Sequence, residues 1–428
     1  VGDDEQLQDL ADGESAFDLL RHGMVARLLA SALLATLSFG IIGAALGWQA
    51  YARTGDPLTL GLIGLAEFMP ALILALPAGQ MADRLDRRYV TAAGDLGTLF
   101  FAACLLIDAA SGDTQAWPLY IFAAGLGASR AFASPAFTPM IAAAVTQRAL
   151  PRTMAMSSAT WQSALIIGPL LGGIFQAFGD VVPYAAAIVA ELVGLVLVLM
   201  VSKRIGTDHK VDTGTPPTFS DATAGLRLIF ATPALLGAIS LDLVAVLFGG
   251  ATSLLPVVAS DILHVGEVGY GVLRAAPGVG AVAVGILLSA RPIRRRVGPV
   301  LLLAVAFFGV FTIVFGFSKS FWLSLLALSF LAASDMISVF IRSTLGPLLT
   351  PPELRGRVGA AERVFIGASN ELGAFESGTL ARLIGTVPAI VLGGVASIGV
   401  AAVWYVCFPA LRGIDRFEDI EPADASQL

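Results

Sequence analysis

Ionisable side chains interrupt stretches of this chain that are otherwise apolar: Glu67, Arg130, Glu191, Asp242, Arg274, Asp335, Arg342, Glu371 and Glu376. A charge at the middle of a bilayer costs about 2.5–3.5 kcal/mol on insertion scales. Each must therefore face protein or water, and a set spread over several spans points to a path for ions or solutes. A carboxyl that gains and loses a proton beside an arginine is the chemistry such a set can perform. Glu67, Glu371, Asp242 and Asp335 are the proton-coupling candidates. The aromatics Trp48, Phe68, Trp161 and Phe248 could line an apolar pocket, although at helical spacing such residues more often serve packing.

Two readings stay open at the central positions. Glu67, coupled to Glu371, carries a proton, or it is half of a structural ion pair. Arg130 tunes that carboxyl or holds an anionic group of a substrate, or it only pins helices together. Asp335 and Arg342 stand seven residues apart, about 10 Å along a helix axis, so they are not a direct pair. Glu191 reads as structural, and so does Asp95, which is expected to pair with a nearby basic turn.

Other chemistries find no support in the residue pattern. Cys104 and Cys407 lie far apart inside apolar runs, giving neither a disulfide framework nor zinc-ligand spacing. His22, His209 and His264 are equally scattered. No phosphate-binding GxxxxGK[ST] stretch occurs, so ATP hydrolysis is not the expected power source. The expectation is a non-enzyme with no metal, no cofactor and no nucleic-acid partner.

The elements that position these charges are membrane spans. Of 428 residues 56% are hydrophobic and 14% charged, with 46 glycines and a mean hydropathy of +0.82. Water cannot solvate runs this long, and about 20 apolar residues suffice to cross a bilayer. Breaks at charge clusters and Gly/Pro-containing gaps predict helices at 27–50, 58–79, 89–108, 117–142, 153–178, 182–201, 233–258, 268–290, 299–317, 321–348, 358–384 and 386–409. The fold class is thus an all-α integral membrane protein of twelve helices. At 1.5 Å rise per residue, Glu67, Arg130, Asp335 and Glu371 share a layer about 16–20 Å from the inner surface.

Basic residues orient the spans, because cytoplasmic loops carry the excess. With the amino terminus inside, the inner segments hold Arg21, Arg27, Arg84, Arg87, Arg88, Arg148, Arg152, Lys203, Arg204, Lys210 and Arg227. They continue with Arg291, Arg294, Arg295, Arg296, Arg355, Arg357, Arg363, Arg412 and Arg416; only Arg53, Lys319 and Arg382 fall outside. Both termini are therefore expected in the cytoplasm. An acidic tail (1–26) precedes a first six-helix bundle (27–201), a linker (202–232), a second bundle (233–409) and another acidic tail (410–428). Neither tail has the make-up of a signal peptide, so the first span is expected to act as its own insertion signal. Residues 219–230 could form a short interfacial helix.

The two bundles also resemble each other. Gly61-Leu-Ile-Gly before one basic turn parallels Gly271-Val-Leu-Arg before another, Arg291 to Gly298. Phe137-Thr-Pro-Met-Ile parallels Leu345-Gly-Pro-Leu-Leu, each followed by a basic loop. Parallel repeats about a linker are a transporter architecture, and the bundles are expected to be pseudo-symmetric.

Three motifs sharpen this. Gly79-x-x-x-Asp83-Arg84-x-x-Arg87-Arg88 sits between helices two and three. Gly168-Pro169-Leu-Leu-Gly172-Gly173 lies in helix five, and Pro352-x-x-Arg355-Gly356-Arg357-Val358 precedes helix eleven. Together they resemble a major facilitator superfamily transporter over residues ~20–410, in the branch of proton-coupled drug and siderophore exporters. The first motif departs at Asp86, where the superfamily usually has glycine. The second has Ala164 where a glycine is usual.

The resemblance implies alternating access by a monomer in the cell (inner) membrane, with protons and a small amphipathic compound as partners besides lipid. It implies a central cavity lined by helices one, four, seven and ten, which makes Arg130, Asp242 and Asp335, with Trp48 and Phe248, the substrate-cavity candidates. It also implies Glu67 meeting Glu371 where helices two and eleven adjoin. It makes Gly79, Asp83, Arg84, Arg87, Arg88, Arg355 and Arg357 a gating constellation, with Asp83 at the positive end of helix eleven. Arginines that only set topology are the simpler alternative. Gly79 would let helix two end close against a neighbour. Gly168, Pro169, Gly172 and Gly173 serve close packing and a bend, or an antiport-specific role. A facilitator or importer of a small solute, and a non-transporting membrane sensor, are the competing functions.

Overall fold

A computed structural model describes residues 23–112, 114–202 and 219–420. Arg21, His22, Lys203, Arg204, His209, Lys210, the acidic residues up to Asp18 and those from Glu421 onward lie outside them. The first six long helices are α1 (Gly23–Thr54), α2 (Leu58–Arg84), α3 (Arg87–Ser111), α4 (Trp117–Ala143), α5 (Leu150–Gln176) and α6 (Val182–Leu199). After the short helix Phe219–Ala231 come α7 (Pro233–Phe248), α8 (Gly266–Ala290), α9 (Val297–Phe317), α10 (Phe321–Leu349), α11 (Arg355–Ile384) and α12 (Thr386–Cys407).

Ten spans among the described residues are long and apolar enough to cross a membrane. The other two long helices are α4, interrupted by Arg130 and several Ser, Thr and Pro residues, and α11 with its charges from Arg355 to Arg382. Their charged side chains must face water or protein, not the lipid core. Large apolar side chains such as Ile73, Phe100, Ile107, Trp322 and Val406 are exposed, as lipid-facing residues must be. This is an all-α, twelve-helix integral membrane protein in two six-helix bundles.

Local signals set the ends. Prolines stand in the first turn of α4, α5, α6 and α7, where a missing N–H costs nothing. Gly112 closes α3 in the left-handed conformation, φ 68°. The seventh span does not run unbroken as expected over 233–258. It stops at Gly249–Gly250 and resumes as the 3-10 turn Ala251–Leu254, the turn Leu255–Val257 and the π turn Val258–Ile262. A side chain on Gly250 would strike the Gly373 carbonyl, so the break lets this span and α11 touch backbone to backbone.

The described residues cluster into two units. One runs to Thr54 and resumes at Ala66; the other takes in Gly55–Leu65 and the helices after the linker. The first helical turns of α2 thus pack with the second unit, against α11. Within the first unit α1 packs on α5 and α6, and α3 on α4 and α6. Within the second, α7 packs on α11 and α12, and α9 on α10 and α12. These four pairings recur with each helix number raised by six, which is the repeat read from the sequence now seen in packing.

The chain beyond α12 folds back on the second unit. Asp415 Oδ1 accepts from Arg296 N at 3.0 Å, and the Val297 and Gly298 amides reach the carbonyls of Asp415 and Ile414. This holds Arg296 in the left-handed region, φ 57°, and satisfies the first amides of α9.

Candidate functional site

Within the first unit α1 and α5 touch over one half of their length and part over the other. Gly168 faces Gly40, with a Cβ on either only 3.0–3.1 Å from the other's Cα. A Cβ on Gly172 would lie 2.7 Å from Ala44 Cβ. Larger residues at Gly40, Gly168 or Gly172 would wedge this seam apart. Gly168, Pro169, Gly172 and Gly173 are all buried. One turn away the helices diverge around a cavity of about 480 Å³.

Four other groups define that cavity chemically: Asp95 from α3, Arg130 from α4, Trp161 from α5 and Glu191 from α6, with Phe39 of α1 on its wall. Arg130 Nη1 lies 4.0 Å from Glu67 Oε1, and its guanidinium lies over the Phe39 ring, 4.0 Å from the centroid. A side chain on Gly127, one turn before Arg130, would overlap the Glu67 carbonyl. That close crossing of α2 and α4 brings acid and base together. The pair is loose and partly exposed, so it can exchange partners at little cost.

Asp95 and Glu191 depart from expectation. Arg88 of the basic turn pairs with Asp86, not with Asp95. Asp95 is 4% exposed and Glu191 3%, and both line the cavity rather than a peripheral seam. Of the aromatics, Trp161 borders the cavity; Trp48 and Phe248 line neither this cavity nor the cleft of the second unit.

The second unit holds its own cluster where α7, α10 and α11 meet. Arg342 Nη2 lies 2.8 Å from Asp242 Oδ1 and Nη1 lies 3.9 Å from Glu362 Oε1. Arg342 Nε donates to Ser338 Oγ at 3.2 Å. Asp335 and Asp242 share a narrow cleft with Phe308. Sequence reasoning passed over Glu362; its signal was being the one acid among Arg355, Arg357 and Arg363. Glu371 presses on Gly64, where a side chain would displace its carboxylate, and Gly61 lies against the Phe375 backbone. Glu67 belongs to the other unit.

The motif between α2 and α3 is built on its one departure. Asp86 caps α3, accepting from Arg88 N at 3.0 Å. The same carboxylate pairs with the Arg88 guanidinium at 2.7 Å, and Arg88 Nη1 donates to Val201 O, just past α6, at 2.7 Å. Arg87 and Arg88 are buried, so Arg88 clasps α3 to the end of α6. Asp83 and Arg84 form the last turn of α2. A Cβ on Gly79 would meet nothing within 4 Å; the expected close packing of a neighbour there is not found. Arg355 Nε donates to Pro347 O at 3.1 Å and Thr350 O at 3.3 Å, satisfying carbonyls at the end of α10. The Arg357 backbone packs on Gly225 of the short helix.

Known proteins share both sequence and fold with this chain. It is 26% identical to the multidrug efflux pump Tap of Mycolicibacterium fortuitum, over 92% of this chain and 98% of Tap. It is 25% identical to the enterobactin exporter EntS of Citrobacter koseri, over 94% and 95%. A peptide transporter POT structure superposes with a TM-score of 0.73 at 12% identity, covering 97% of this chain and 100% of that one. The nucleoside transporter NupG gives 0.64 at 14% identity, covering 90% and 99%; at such identities the likeness is one of fold. A profile of the Major Facilitator Superfamily matches residues 28–374, and with the repeated pairing of twelve helices this chain belongs to that superfamily of membrane transporters.

Proposed function

We propose that the protein is a secondary active transporter that exports a small amphipathic compound in exchange for protons. It works by alternating access, as a monomer in the cell (inner) membrane with both termini in the cytoplasm. The observation that carries this reading is the nearly full-length likeness to two exporters, Tap and EntS. The cavity supports it, because one wall offers aromatic surface and the others offer a cation and two acids, which suits a cargo with an apolar body and a polar end.

Two sites are suited to coupling. Glu67 shares Arg130 across 4.0 Å, so a proton on the carboxyl would release the arginine to another partner. In the second unit Asp242 and Glu362 meet one guanidinium, Arg342, and Asp335 shares the cleft with Asp242. The proton number of such a cluster belongs to the group and is linked to its ion pairing. Asp83, Arg84, Arg87, Arg88, Arg355 and Arg357 serve as the gating constellation on the inner face, with Arg88 as its anchor.

The test is a panel of efflux and accumulation assays in a susceptible host, with and without a protonophore. Concentrative efflux that collapses with the proton gradient is expected. Transport that only equilibrates its solute, unchanged by the protonophore, would overturn the exporter reading in favour of a facilitator.

A further inference from the structure

Two buried acids in the first-unit cavity lack a counter-ion. Among the described residues no arginine, lysine or histidine lies within 4.0 Å of Asp95 or Glu191. Arg130 is the basic side chain on the same cavity wall, and it is engaged with Glu67 and the Phe39 ring instead. The other elements packed around the acids present neutral groups: Ser31 and Ser38 from α1, Ser157 and Ser158 from α5. Glu191 Oε2 is buried without a geometric hydrogen-bond partner, and the one polar group acting on this carboxyl from α1 is the neutral Ser38 hydroxyl. Asp95 and Glu191 are close enough to interact electrostatically.

Buried charge without a partner is costly, and a cation brought between two such carboxylates removes that cost. Trp161 and Phe39 supply apolar and π surface on the same walls, favourable to a cation carried on an aromatic body. We propose that Asp95 and Glu191 bind the cationic centre of an amphipathic ligand whose apolar body fills this cavity. The inference names the substrate class for the exporter reading and rests on it only in treating the ligand as cargo; binding can be measured without transport.

The experiment uses the full chain purified in lipid nanodiscs, with tetraphenylphosphonium as probe and triphenylphosphine oxide as its uncharged counterpart. The wild type should bind the cation saturably, at least tenfold more tightly than the neutral compound. Asp95→Asn with Glu191→Gln should close that gap, while Asp95→Glu should keep it. If the double variant does not fold, as judged by its melting temperature, each single variant should narrow the gap on its own. No saturable binding by the wild type, equal affinity for the two probes, or a gap unchanged in the neutralised variants would overturn the proposal. Charge-selective binding without efflux of the cation from vesicles would sink the exporter reading and leave this inference standing. Efflux with an unchanged gap would do the reverse.

Discussion

Arg342 and Asp242 meet at 2.8 Å with their side chains 6% and 8% exposed, a close and buried ion pair within the second unit. Removing one partner of such a pair strands the other, at a cost of about 3–5 kcal/mol. Arg342→Ala should therefore lower the melting temperature of the purified protein more than any single neutralisation of Asp242, Asp335 or Glu362. An unchanged melting temperature would show that water already screens the cluster. Arg342→Met combined with Asp242→Leu should recover much of the loss, because no lone charge remains between them.

The seam between α1 and α5 predicts a graded series. A methyl at Gly172 would meet Ala44 Cβ and the Ile41 carbonyl at 2.7 and 2.9 Å, while one at Gly168 meets Gly40 Cα at 3.1 Å. Overpacking of this kind costs about 1–3 kcal/mol. Gly172→Ala should destabilise more than Gly168→Ala in thermal melts, and Gly79→Ala should have little effect. The opposite order would mean that the seam relaxes by sliding.

Asp86→Ala removes the cap of α3, worth about 1 kcal/mol, whereas glycine at a cap position costs only a few tenths. Hydrogen exchange at the first turns of α3 should accelerate in Asp86→Ala, because Arg88 loses its carboxylate too. Equal exchange in the wild type and the variant would mean that the Arg88 bond to Val201 O holds the turn alone.

Glu67→Gln cannot trade a proton but keeps its shape and polarity. Transport driven by a pH gradient in vesicles should be lost, while ligand binding persists. Undiminished pH-driven transport would remove Glu67 from the coupling path and leave the Asp242, Asp335 and Glu362 cluster to carry it.

The architecture was legible in the sequence because lipid leaves few options. Most spans are apolar over nearly their whole length, so the gaps stood out, and basic loops marked the ends of helices of which most lie within a few residues of expectation. The pairing repeat was foreshadowed by Phe137 to Ile141 against Leu345 to Leu349. Position along a helix gave depth, and it put Arg130 and Glu67 at one level, where they meet. Direction around a helix was another matter. Whether Asp95 and Glu191 turn to lipid, to a neighbour or to a cavity depends on how α1 and α5 part, which no local spacing records. Glu362 was hidden among arginines that topology alone explains. Gly249–Gly250 announced a weak point in the seventh span but not that Gly373 would press into it.

The cavity ends where side chains end: Phe39 and Leu165 border it, and Gly40, next to Phe39, and Gly168, about one turn beyond Leu165, close the seam. The same stripe of α5 thus does two jobs in succession, and they are written in different residues. Ser157, Trp161 and Leu165 can be exchanged under selection without disturbing how α1 and α5 join. On the proposal that this cavity holds the cargo, its lining could be changed to alter the cargo range while the frame stays as it is.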